Sequence, residues 1–189
     1  MTAGPMDETG KVVALSGGIG GAKLALGLSR VLPPGALTVI ANTADDCVQL
    51  GLHISPDIDT LMYTLAGLSD SERGWGRKDE TWNCMEALGA LGGETWFRLG
   101  DRDLATNIER THLLAAGHSL TDITSRFCGR LGLSTRILPM SDDPVSTRVH
   151  TEAGWLDFQE YFVHRRCEPA VRALDYVGAA TARPLPAAL

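Results

Sequence analysis

The stretch from Lys11 to Asn42, KVVALSGGIGGAKLALGLSRVLPPGALTVIAN, constrains the fold more than any other part of the chain. Val12, Val13, Ala14 and Leu15 form a short continuous apolar run, as in a strand buried on both faces. Glycines follow at once, at Gly17, Gly18, Gly20 and Gly21, and then Lys23. A helix is predicted from about Gly21 to Val31, with Leu24, Leu28 and Val31 on one face. Pro33-Pro34-Gly35 stops it, and ALTVIAN reads as a second buried strand. Strand, helix, strand in this order is a βαβ unit, which implies a parallel sheet. Glycines after a first strand let backbone N–H groups approach a phosphate at the helix N-terminus; they serve equally well in a tight strand-to-helix turn. The spacing is neither GxGxxG nor a complete P-loop, because no Ser or Thr follows Lys23.

Charge is distributed oddly in the next segment. Asp45, Asp46, Asp57 and Asp59 fall close together, and no Lys or Arg occurs from Val31 to Glu72. Two carboxylates ~4 Å apart repel by roughly 1 kcal/mol in water and about 4 near a protein surface. Asp57 and Asp59 follow Ser55 and Pro56, which suit the N-cap and first position of a helix. Acids in a first turn stabilise the helix by ~0.3–1 kcal/mol each. That accounts for neither Asp45 and Asp46, at the end of the second strand, nor the missing bases. A hard divalent cation such as Mg²⁺ accounts for both, since it takes carboxylate and phosphate oxygens.

The remaining chain is read as helices at SPDIDTLMYTLAGL, ETWNCMEALGALGG, DLATNIERTHLLAAGH and SLTDITSRFCGRLGL. Strands are predicted at TWFRL and STRILPM, a hairpin at VSTRVHTEAGWLDF and a further strand within VRALDYVGAA, while QEYFVHRR fits a short helix or a strand. His53 is assigned to packing. Arg102, between a strand and a helix, suits a phosphate or carboxylate, or a local ion pair. Trp75, Trp82 and Trp96 suit core packing or a planar ligand. The 189 residues support one sizeable core: residues 1–10 are expected to be a disordered leader and 11–189 a single α/β domain. A net charge of −6 argues against a general nucleic-acid or membrane-surface binder. Four scattered cysteines without a CxxC are expected to be reduced thiols in a cytoplasmic protein. The polar, acidic N-terminus is not read as a signal peptide, and no run approaches the ~20 apolar residues of a membrane span.

Six segments, in order, resemble the 2-phospho-L-lactate transferases of coenzyme F420 biosynthesis: GGIGGAKLALGL, NTADD with LGLHISPDIDTLMYTLAG, GWGRKDETW, WFRLGDRDLATNIERT, ILPMSDDPVSTRV and FQEYFV. The resemblance implies a Rossmann-like three-layer α/β sandwich with a mainly parallel sheet and a small hairpin/helical insertion. It implies transfer of a 2-phospholactate or enolpyruvyl phosphate group from a guanosine diphosphate adduct to the deazaflavin alcohol Fo, with release of GMP. Mg²⁺ would sit on Asp45 and Asp59, which also carry the catalytic role. Gly17, Gly18, Gly20, Gly21, Lys23, Asp46, Asp57 and Arg102 would line the substrate cleft. It also implies a homodimer. Family members are longer and carry a Gly-Pro-Ser-Asn-Pro stretch that this sequence lacks, so the domain is expected to be incomplete at its C-terminal end. Two competing readings are a nucleotide-sugar-binding regulatory protein of the related gluconeogenesis-factor type, and a nicotinamide oxidoreductase, for which the glycine fingerprint is incomplete.

Overall fold

The computed structural model describes residues 10–70, 72, 73 and 75–188, so all but the last residue of the expected leader lies outside it. In chain order the elements are β1 (Val12–Ser16), α1 (Gly18–Val31), β2 (Leu37–Ala41), β3 (Cys47–Gln49), β4 (Leu52–Ile54), α2 (Pro56–Leu65), α3 (Asn83–Ala90), α4 (Asp101–Ala115), α5 (Leu120–Arg130), β5 (Arg136–Pro139), β6 (Ser146–Thr151), β7 (Gly154–Asp157) and β8 (Val171–Val177). A π-helical turn spans Glu160–His164, and a 3-10 turn Pro186–Ala188.

The βαβ unit forms as its sequence dictates. β1 pairs with β2, and β2 with β5, all parallel, in the order β1-β2-β5. Leu37, Val39 and Ala41 of β2 and Ile137 of β5 meet Ala22 and Ala25 of α1, Ile58, Leu61 and Met62 of α2, and Cys128 of α5 in one core. The small residues Ala22 and Ala25 let α1 lie close to the sheet. Burial of β1 on both faces does not hold: Val13 is 58% and Leu15 78% exposed. β1 is an edge strand, and its alternate side chains point to a sheet face that the described residues leave uncovered. The parallel α/β core is therefore present, and among the described residues no element covers Val13 and Leu15.

Beyond β2 the chain makes a β3–β4 hairpin through Leu50 and Gly51, both at positive φ (54° and 76°), as a tight primed turn requires. The hairpin predicted at VSTRVHTEAGWLDF is β6–β7, extended by β8 on the other side of β6. TWFRL is not a strand: no ladder reaches it, and Leu99 instead packs with Ile54, Met85 and Leu104 in a second apolar cluster. QEYFVHRR resolves into the π-helical turn. Ser119 caps α5 as its sequence suggests, its Oγ accepting from the Asp122 N–H at 3.1 Å. All four cysteines are free thiols.

Candidate active site

A cavity of about 640 Å³ opens beyond the carboxyl ends of β2 and β5, where open α/β sheets place their ligands. Its walls are Thr43–Gln49, His53–Ser55, Ser141–Thr147 and Asp157–Gln159. The Thr147 N–H donates to the Ala44 carbonyl at 2.7 Å, tying the start of β6 to the loop after β2. Asp45, Asp46, Asp142, Asp143 and Asp157 all line it, and among the described residues no lysine or arginine does. Three of these carboxylates are answered locally. Asp142 accepts from the Thr121 N–H and Oγ at 2.8 and 2.9 Å, Asp143 pairs with Arg183 at 3.1 Å, and Asp157 lies 3.5 Å from Arg148.

Asp45 and Asp46 have hydrogen bonds but no ion-pair partner among the described residues. Burial raises the Asp45 carboxyl above its ordinary value and the Asp57 charge adds to this, while hydrogen bonds from Asn42 and Thr147 offset part of it. Gln159 Nε2 fixes the Asp45 backbone carbonyl at 3.3 Å. Asp46 accepts from Ser55 Oγ at 2.7 Å through one oxygen; its Oδ1 is buried with no partner among the described residues. Burial pushes Asp46 up to about 7. Ser55 is the N-cap residue of α2, but its hydroxyl serves Asp46 rather than the helix. The Cys47 thiol, pushed up to about 12 chiefly by burial, stays protonated at neutral pH and is no nucleophile here.

Asp57 takes a different part from the one its sequence suggests. Its Oδ1 accepts from the Gly18 N–H at 2.7 Å and its Oδ2 from Asn42 Nδ2 at 2.9 Å. A carboxylate of the chain thus occupies the first amide of α1, where the glycine motif invited a phosphate. Gly18 supplies a φ of +61° at that point. A Cβ on Gly21 would stand 2.2 Å from Ser16 Oγ, so that glycine is required by the close approach of α1 to β1. Gly18 and Gly21 thus serve the turn itself. Gly17, Gly18, Gly20, Gly21 and Lys23 do not line the cavity, and Lys23 faces solvent.

Asp59, expected beside Asp45, is ion-paired with Arg110 Nη2 instead. Both are buried: Arg110 is 1% and Asp59 5% exposed. Arg110 Nη1 also donates to Asn107 Oδ1 at 2.6 Å and to the His53 carbonyl at 3.3 Å. Part of the charge that the segment from Val31 to Glu72 lacks is therefore supplied by α4, 51 residues further on. Asp103 belongs to the same buried group: it accepts from the Tyr63 hydroxyl at 2.7 Å, and burial with the nearby Asp59 charge raises its carboxyl. His53 is exposed at the cavity wall and not a packing residue. Arg102 lies in a different cavity. Arg110 was not legible because one arginine in ERTHLL looks like any solvated helix face.

The sequence model described as "2-phospho-L-lactate transferase CofD" matches residues 12–189. The chain belongs to the CofD family. Among CofD-family relatives, a "Phosphoenolpyruvate transferase" of Streptomyces griseus is 47% identical over 184 residues, covering 95% of this chain and 58% of that protein. A "2-phospho-L-lactate transferase" of Methanosarcina mazei is 43% identical over 171 residues, covering 90% and 56%. The chain thus spans a little over half the length of these relatives. A crystal structure of a UPF0052 family protein from Bacillus halodurans matches with a TM-score of 0.54 at 16% identity, over 94% of this chain and 54% of that one, which speaks to the fold alone. None of the helices in the described residues is long and apolar enough to cross a membrane.

The Mg²⁺ site of the family resemblance fits these residues in part. Asp45, repelled by Asp57 and adjoining the unpartnered Asp46 Oδ1, has the chemistry of a cation ligand. Asp59 does not, because Arg110 already neutralises it. Among the described residues no three carboxylate, imidazole or thiol groups form a metal cage.

Proposed function

We propose that this CofD-family chain belongs to a transferase that moves a 2-phospholactate or enolpyruvyl phosphate group from its guanosine diphosphate adduct to the deazaflavin alcohol Fo, releasing GMP. The observation that carries the reading is the 640 Å³ cavity with five aspartates and no base in its described lining. Such a site repels a diphosphate unless a cation comes with it. Mg²⁺ on Asp45 and the phosphate oxygens would supply that neutralisation, leaving little covalent work for the protein. The terminal hydroxyl of Fo attacks the distal phosphorus, the bond to GMP breaks, and Asp45 takes the hydroxyl proton. Burial and the Asp57 charge raise the Asp45 carboxyl, which makes it a stronger base than a solvated carboxylate. Asp57 and Asn42 hold the loop and the start of α1 in register around it. Asp59 and Arg110 support the cavity from behind rather than bind substrate.

The relatives' names differ in the donor acid, so both donors belong in the test. Purified chain is mixed with Fo, each guanylyl adduct and Mg²⁺, and GMP release is followed. The same assay is run on a chimera completed with the part of the Streptomyces griseus relative that this chain does not cover. GMP release that EDTA stops, and that Asp45→Asn lowers at least about 100-fold, is the expected result. No GMP from either protein overturns the reading.

A further inference from the structure

A second cavity, of about 250 Å³, opens between α2, α4, α5 and the loop before α3, and it shares no residue with the acidic one. Arg77, Arg102 and Arg130 line it together with a single carboxylate, Glu109. Glu109 is itself 3.6 Å from Arg126. None of the three lining arginines has an ion-pair partner among the described residues. Arg77 Nε is buried and has no hydrogen-bond acceptor there either.

Arg77 is held in place. Its strand-like bridge to Ser69 and the Lys78 N–H to the Leu68 carbonyl at 2.8 Å fix its backbone. Its guanidinium lies 5.2 Å over the Tyr63 ring. That ring is in turn locked through its hydroxyl, which donates to Asp103 and accepts from the Thr106 hydroxyl. The N-terminus of α4 is not the attraction, since the Arg102 and Asp103 N–H groups already donate to Glu80 at 2.8 and 2.9 Å. Three arginines lining one small space repel one another, and the molecule as a whole carries −6. Guanidinium forks match phosphate and carboxylate oxygens, and Met62, Phe127 and Leu131 offer an apolar floor beside them.

We propose that this cavity is a second binding site, for a small molecule that carries an oxyanion on an apolar body. Arg77, Arg102 and Arg130 grip the anion, and Met62, Phe127 and Leu131 receive the body. The volume suits a group of about one aromatic ring plus a phosphate, below the ~300–1,000 Å³ of drug-sized pockets.

The test follows the arginine Nε–H signals of the ¹⁵N-labelled chain by NMR at low salt, while inorganic phosphate, phenyl phosphate or benzoate is added. A saturable shift of the Arg77 signal is expected, with phenyl phosphate binding more tightly than inorganic phosphate. Benzoate binding as tightly as phenyl phosphate would identify a carboxylate site, and weaker binding a phosphate site; either supports the proposal. Arg77→Gln combined with Arg130→Gln should weaken binding about tenfold or more, as expected for losing charge-assisted hydrogen bonds. Arg130→Gln alone, at an exposed position, tests the same point without endangering the fold. No saturable shift with any of the three probes, or shifts that survive Arg130→Gln at unchanged affinity, overturns the proposal.

Discussion

Replacing Arg110 by Met should unfold this protein more readily than any exchange on its surface. The side chain is 1% exposed, and its guanidinium serves Asp59, Asn107 and the His53 carbonyl. Methionine fills similar space but leaves the Asp59 carboxylate buried and unpaired. Breaking a buried pair by removing one partner costs about 3–5 kcal/mol. At ~2–4 °C per kcal/mol for a chain of this size, the loss in Tm is roughly 6–20 °C. The cost depends on pH. Without Arg110 the folded-state pKa of Asp59 lies far above its unfolded value, so the variant's stability falls as pH rises above the unfolded value of about 4. The deficit against the parent is therefore smaller at pH 4.5 than at pH 7.5. Urea unfolding of the parent, Arg110→Met, Asp59→Asn and the double variant, followed by tryptophan fluorescence at both pH values, measures it. The double variant should recover at least about half of the Arg110→Met loss, because no naked charge remains. A loss under about 1 kcal/mol at pH 7.5, or an equal loss with Asp59 already changed, would refute the pairing argument.

Asp46 gives a pH dependence of its own. Its folded-state carboxyl is raised to about 7 by burial, so the folded state holds its proton longer than the unfolded chain does. The stability this contributes is full below about pH 4 and lost as pH rises through 7. Asp46→Asn should flatten that fall and, at pH 8 without added metal, exceed the parent by up to about 4 kcal/mol; a parallel pair of stability–pH curves would contradict it. The glycine loop offers a contrast between neighbours. Gly21→Ala puts a methyl 2.2 Å from Ser16 Oγ and 3.1 Å from Ser16 Cα, and should cost about 1–3 kcal/mol in urea unfolding. Gly20→Ala meets nothing within 4 Å and should stabilise by up to about 1 kcal/mol, through helix propensity. Equal effects at the two positions would mean that α1 does not approach β1 as described.

The sequence by itself determined what depends on neighbours along the chain. The apolar run, the glycine turn and the Pro33-Pro34 stop specify β1, α1 and β2, because each is fixed by residues a few positions apart. Ser119 caps α5 for the same reason, and the six family segments identify the lineage before any fold is known. Asp45 and Asp46, placed after β2 by the sequence, line the cavity beyond the strand ends. Which aspartate does what was decided only in three dimensions. Asp57 turned to the Gly18 amide and Asp59 to Arg110, while Asp45 and Asp46 were left facing the cavity. Arg102, read as a substrate ligand, joined Arg77 and Arg130 in another cavity. Those assignments depend on segments separated by 39 and 51 residues that meet only after the sheet and helices pack. A buried charge takes whichever partner packing brings within hydrogen-bond reach, and the order of residues along the chain carries almost no record of that distance.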